Sequence, residues 1–451
     1  MSLILEFCRQ IIEGYTNQDA EAFYHLFSID PSNPITMQLR EELDKTDLNQ
    51  IKNTVESILE DTSNALVECV NSYMEAVVHF QNSDVQTFFD IFANFYSSTI
   101  PVFNGQDTFY MVPLINTLSS YLVQLAFEAD SYGLKGKARK ANSAARLLSK
   151  MFNIMLADRS PMETSKRLGI FHVTNLAFKV YFKLNTTRMC QTFMNNIKTG
   201  GVDLKQYPIS EQVTYRYYLG RYALYHVKLH QAQDHLMFAF KRCHAEQWHN
   251  KRLILHHLIP TYIIMGYFPK IELLEKYKLV DQYWNLLQAL KAGDLAGYST
   301  HLEIHFDYFY SNHTYSLLKD RGIVLAWRCL VKKVYLLTKK SETHSIVLFK
   351  DCLKAFRLCD PECEYTMDEI ECILVSLVSQ GYIRGYLHHQ KQRLVLSRVN
   401  GFPPVSQVRL YQERYNEAAM EDHMKKAYPP IPEEINKLIE DEEHSSTTEI
   451  L

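Results

Sequence analysis

Tyr382-Ile383-Arg384-Gly385-Tyr386-Leu387-His388-His389-Gln390-Lys391-Gln392-Arg393-Leu394-Val395-Leu396-Ser397-Arg398-Val399 is the stretch whose reading decides the fold. Two short alternating segments, Ile383/Leu387 and Leu394/Leu396, flank a polar turn. They read as half-buried strands, with Arg384, Arg393 and Ser397 in the polar positions. Just before them, Thr366-x-x-Glu369 forms a capping box, in which each residue satisfies a backbone N–H at a helix start. Ile370, Ile373, Leu374, Leu377 and Val378 follow at helical spacing, and Gly381 is suited to end the helix. A capped amphipathic helix running into a two-stranded hairpin is the end of a winged helix.

Upstream the pattern is helical. Residues 345–358 read as a helix with Ile346, Phe349, Leu353 and Phe356 on one side. Residues 210–245 read as a helical hairpin. Ala232, Leu236 and Ala239 stand 12, 16 and 19 positions after Gly220, the small–large–small pattern of a tetratricopeptide-like repeat. Small residues let paired helices approach, and Leu236 fills the gap between them. A helix over roughly 170–184 carries Val173, Leu176, Ala177, Val180 and Tyr181 on one face, and Phe88, Phe89, Phe92 and Phe95 form a core stripe. Glycine (15) and proline (14) are scarce in 451 residues, which favours long helices. The expected fold is mostly α: degenerate helical repeats, each needing a stacked neighbour to bury its face, closed by a winged helix. The expected divisions are an acidic helical region at 1–134, helical repeats at 135–340, a winged helix at 341–400, and a partly disordered tail at 401–451 with a short helix over 406–426.

The net charge of −3 hides a division. Residues 1–110 carry four Lys/Arg against 17 Asp/Glu, and residues 111–260 carry 21 against eight. Residues 321–400 carry 13 against eight, and the last 51 carry five against 11. Such a split reads either as solvated helix faces or as a basic surface for nucleic acid or an acidic peptide.

Catalytic signatures are missing: the sequence holds no GxxxxGK[ST], HExxH or GxSxG. No enzyme activity and no cofactor are expected. Cys352, Cys359, Cys363 and Cys372 lie near His388 and His389, but their spacings match no common zinc module, so packing and not metal is expected there. The N-terminus lacks a basic segment of the secretory kind, and the apolar run at 253–268 is broken by His256, His257 and Pro260. A reducing compartment, nucleus or cytoplasm, follows as the expectation.

Several stretches resemble one family closely. They are Val213 to Arg221 (VTYRYYLGR), Phe238 to His244 (FAFKRCH), Asn250 to Leu255 (NKRLIL), Gly381 to Gln390 (GYIRGYLHHQ) and Asn400 to Pro404 (NGFPP). Together with the terminal winged helix they resemble the PCI domain, and within that group the PCI-domain-containing-protein-2 family with its Thp- and Csn12-like members. The resemblance covers roughly 135–405, with the helical part of the PCI domain from about 205. It implies a non-catalytic subunit of a nuclear, pore-associated complex that couples transcription to mRNA export. It also implies a Sac3/GANP-like PCI scaffold and a small acidic Sem1/DSS1-like protein as partners, with paired winged helices forming a platform for RNA or DNA. The alternative is a structural PCI subunit of a signalosome-like or proteasome-lid-like assembly without nucleic-acid binding.

Charges on the winged helix refine this expectation. The helix from Thr366 offers Asp368, Glu369 and Glu371 and no basic residue, which disfavours base readout in a groove. Lys332, Lys333, Lys350, Lys354, Arg357, Arg384, Lys391, Arg393 and Arg398 are the expected contacts to phosphates, without sequence preference. Lys241, Arg242, Lys251 and Arg252 are the expected contacts to the acidic partner, with His244, His249, His256 and His257 in the same basic stretch. Tyr215, Tyr217, Tyr218, Tyr222 and Tyr225 crowd one helix, where core packing is expected ahead of base stacking.

Overall fold

A computed structural model of the chain describes residues 2–29, 33–80, 82–341 and 345–408. Helices dominate, and polar side chains start many of them. The carboxylate of Asp84 accepts from the backbone N–H groups of Gln86 and Thr87, both at 3.0 Å, and Asp19 and Ser63 cap in the same way. Such caps satisfy donors that the helix itself leaves free.

Two compact units emerge. One comprises the residues up to Tyr222 together with Asp234–His244; the other comprises Ala223–Gln233 and the described residues from Ala245 onward. The first unit holds one continuous hydrophobic core running from Ile4 to Tyr218. The boundary expected at 134/135 therefore falls inside a shared core. Aromatic rings fill much of it: Phe7 stacks on Tyr73 at 5.6 Å, and Tyr73 also meets Phe27 and Phe95. The expected stripe of Phe88, Phe89, Phe92 and Phe95 is buried here, as are Val173, Ala177, Val180 and Tyr181 of helix Ile170–Lys183, with Leu176 half-buried. The acidic and basic stretches of the sequence meet directly, Lys140 binding Asp90 at 2.8 Å. Part of the positive excess is thus spent inside the unit.

The expected repeat hairpin is formed by helices Ile209–Tyr225 and Leu229–Arg242. A Cβ at Gly220 would stand 2.5 Å from Leu236 Cγ, so the glycine permits the close approach that the spacing predicts. Ala232, Leu236 and Ala239 are fully buried. Tyr215 and Tyr218 pack in the core, Tyr217 and Tyr222 are half-buried, and Tyr225 is exposed.

In the second unit, helix Ile323–Thr338 packs on helices Phe349–Cys359 and Met367–Ser379. A three-stranded antiparallel sheet completes this arrangement: β1 (Ile346–Leu348), β2 (Gly385–His388) and β3 (Arg393–Leu396), in the order β1-β3-β2. This is a complete winged helix, and it differs from the expectation in two ways. Its leading helix, Ile323–Thr338, lies before residue 341. Residues 346–348 are a strand, not the first turn of a helix, because Ile346, Val347 and Leu348 pair with Val395, Leu394 and Arg393. The helix begins at Phe349, with Phe349, Cys352 and Phe356 buried and Leu353 half-buried. The capping box of Thr366 and Glu369 is present, Ile370, Leu374 and Leu377 are buried, and Gly381 takes φ +83° just past the helix. Of the tail expected at 401–451, residues 401–408 belong to the folded unit, with Pro403 buried and held by Arg328 and a 3-10 turn at Val405–Gln407; the remainder, with most of the helix expected over 406–426, lies outside the described residues. No described helix is long and apolar enough to cross a membrane.

Candidate nucleic-acid and partner interfaces

The winged helix distributes its charges unevenly. Its third helix, Met367–Ser379, exposes Asp368 and Glu369, and Glu371 binds His389 at 2.8 Å. That pair ties the tip of the β2–β3 turn to an acidic helix. A groove-reading role for this helix is electrostatically unfavourable, as the sequence suggests.

The basic residues fall into separate places. Lys332 and Lys333 are exposed on the leading helix, and Lys350, Lys354 and Arg357 are exposed on the second. Positions 350, 354 and 357 follow helical spacing and share one face. Lys333 lies close enough to the C-terminal end of the second helix to act electrostatically on the Cys359 thiol. Cys359 sits on the opposite side of that helix from Lys350, so this closeness does not join Lys333 to the face of Lys350 and Lys354. Arg357 is partly committed, because its Nε and Nη2 donate to the Tyr365 carbonyl at 3.0 and 2.6 Å.

The hairpin cations do not form one patch. Arg384 and Arg398 are exposed at its base, where Arg384 exchanges backbone hydrogen bonds with Gly401 and Ser397. Lys391 is exposed at the opposite end, in the turn that holds His389. Four-residue strands separate these ends by roughly 13 Å at the usual rise. Arg393 differs again: it stands on the central strand, half-buried, with its Nε closed off from solvent and without a hydrogen-bond partner among the described residues.

The expected acidic-partner residues also divide. Lys241 and Arg242 are exposed at the end of helix Leu229–Arg242. Lys251 and Arg252 are half-buried in helix Trp248–Ile264. Arg252 donates from Nε to the Tyr277 carbonyl at 3.0 Å and lies over the Trp248 ring at 5.8 Å. Its first task is therefore structural. His256 and His257 are buried, contrary to a surface role. Burial, then Arg252 and His249, push His256 down to about 4, and the ring meets the Tyr308 hydroxyl at 2.6 Å. Lys276 and Lys278 flank the same aromatic pair, Tyr277 and Trp248, at 5.7 and 6.0 Å. The sequence reading missed them, since only the fold brings them beside Trp248.

Among the described residues no group of three or more His, Cys, Asp or Glu is placed to hold a metal ion. Cys352 is buried, Cys359 half-buried, and Cys363 and Cys372 exposed.

Helical hairpins that lead into a winged helix of this topology define a PCI protein, and the PCI domain family profile matches residues 311–398. That match starts ahead of the leading helix, in agreement with the observed fold. A PCI domain-containing protein of Schizosaccharomyces pombe is 33% identical over 413 residues, covering 88% of this chain and 93% of that protein. PCI domain-containing protein 2 of Xenopus laevis is 33% identical, over 66% of this chain and 74% of its own length. Enhanced ethylene response protein 5 of Arabidopsis thaliana is 28% identical, over 89% of this chain and 96% of its own. The chain belongs to the PCI domain-containing protein 2 family, and with it to the PCI scaffold subunits.

Proposed function

We propose that this chain is a non-catalytic adaptor of a nuclear, pore-associated complex that couples transcription to mRNA export. In this reading it docks a Sac3/GANP-like PCI scaffold and a small acidic Sem1/DSS1-like subunit, and its winged helix adds a basic surface for RNA or DNA. The observation that carries the nucleic-acid part is the exposure of Lys332, Lys333, Lys350 and Lys354 on the first two helices, whereas the third helix carries acidic residues and no basic one. Exposed lysines contact phosphates without reading bases. The exposed pair Lys241 and Arg242 supports an acidic partner.

Purification of the tagged chain from nuclei, with identification of the bound subunits, tests the partner assignment. RNA binding by the assembled complex, measured against salt, tests the surface. Recovery of a signalosome-like or lid-like assembly without salt-sensitive RNA binding would replace this reading with the purely structural one.

A further inference from the structure

The outer face of the winged-helix sheet holds an arginine, Arg393, whose Nε is buried without an acceptor among the described residues. Side chains alternate across a strand. Val347, Leu394 and Leu396 are buried on the helix side. The opposite face presents Leu348, Arg393 and His388 in one cross-strand row, and Ile346, Val395 and Tyr386 in the next. Arg393 stands at the centre of its row, so both neighbouring strands flank its stem. Its Nε is buried and without an acceptor among the described residues. Around it Ile346, Leu348 and Val395 are half-buried, and Tyr386 is 62% exposed.

We propose that this face docks a protein partner that places a carboxylate among apolar side chains, with Arg393 as its anchor. The inference rests on the winged helix being a docking element and names the face and the chemistry it uses. A guanidinium edge matches a carboxylate through two parallel N–H···O bonds, which are strongest where water is excluded. Interface cores are enriched in arginine and tyrosine and depleted in lysine, and this face holds Arg393 and Tyr386 with no lysine. A nucleic-acid backbone supplies anionic oxygens but no apolar surface to cover Ile346, Leu348 and Val395. The exposed lysines of the helices suit phosphate better. The winged helix thereby separates its two tasks, protein on the sheet and phosphate on the helices.

The test uses the full chain in its native complex. A photo-crosslinker at position 386 should link to a protein segment bearing an Asp or Glu between apolar residues. R393E should weaken that partner at least 100-fold, and changing the partner's carboxylate to Arg should restore binding to R393E. The variant K332E/K333E should leave the partner's affinity within threefold. Melting of R393E within a few degrees of the parent confirms that the sheet is intact, and R393M, which keeps the stem without the charge, gives the same loss if R393E does not fold. Unchanged partner affinity in both variants overturns the assignment. So does loss of RNA binding with the partner retained, which would make the face a nucleic-acid contact. Cross-links to an acidic protein without a PCI fold would sink the scaffold reading and leave the sheet-face assignment standing.

Discussion

The guanidinium of Arg328 donates from Nη2 to the carbonyl oxygen of Pro403 at 2.6 Å. The same nitrogen reaches the Phe402 carbonyl at 3.4 Å, and Nε reaches that of Tyr382 at 3.3 Å. Arg328 lies on the leading helix of the winged helix, and the three carbonyls lie just before and just after the β2–β3 hairpin. One buried cation therefore fastens both ends of the hairpin to the helix beneath it. Nearby, Gly266 at φ +82° would bring a Cβ within 2.5 Å of Val405, so the segment after the hairpin also packs closely on the end of helix Trp248–Ile264.

Replacing Arg328 with Met keeps the stem and removes the donors. Buried carbonyls left without partners cost about 1–3 kcal/mol. Arg328→Met should lower the urea midpoint and speed proteolytic cleavage after residue 400. An unchanged midpoint would mean that water replaces the guanidinium at no cost.

The repeat hairpin should be sensitive at Gly220. An added Cβ at Gly220 meets Leu236 at 2.5 Å, so Gly220→Ala should destabilise by about 1–3 kcal/mol through overpacking. Leu236→Ala alone should cost about 2–5 kcal/mol. In the double variant the two losses should fall short of their sum, because the truncated leucine makes room for the methyl. Strict additivity in urea titrations would remove the contact as the cause.

Leu374 is fully buried at the centre of the third helix's apolar stripe. Leu374→Asp places a carboxylate there without a partner, at a cost of several kcal/mol. The winged helix should become protease-sensitive, and scaffold association should be lost with it. A variant that melts like the parent and binds normally would contradict this.

Asp158 gives a pH signature. Burial raises its pKa, but hydrogen bonds from the backbone of Ser160, the hydroxyls of Ser165 and Ser160 and the backbone of Lys166 outweigh it and bring the carboxyl from 3.8 to about 2. A carboxylate depressed in the folded state stabilises fully above its unfolded pKa, and that contribution fades as pH falls toward the folded value. Asp158→Asn should therefore melt below the parent at neutral pH, with the difference closing between about pH 4 and pH 2. A difference that stays constant through this window would rule out the ionised form as its source.

Reversing Lys332, Lys333, Lys350 and Lys354 to Glu should weaken RNA binding by the assembled complex. Each lost phosphate contact should flatten the log–log salt slope by roughly 0.7 on single strands and 0.9 on duplexes. Melting should hardly change, since all four side chains are exposed. An unchanged slope would take these lysines out of the interface.

The sequence by itself determined the features whose partners are close along the chain. Thr366 and Glu369 cap the same helix turn, Ile370, Leu374 and Leu377 recur every turn, and the turn at His389–Lys391 joins adjacent strands. Gly220 and Leu236 were legible for the same reason, since a short hairpin fixes which positions face each other. Tertiary structure alone decided the rest. Ile346 to Leu348 is an apolar run that suits a helix start or a strand, and only pairing with Arg393 to Val395 makes it a strand. The leading helix at Ile323–Thr338 belongs to the winged helix because of what packs on it, which its own periodicity does not state. Arginines read alike in a sequence. Which one staples carbonyls, as Arg328 does, which one supports an aromatic pair, as Arg252 does, and which one keeps a buried Nε without an acceptor among the described residues, as Arg393 does, depends on groups distant in the chain and on how much water the fold removes around each charge.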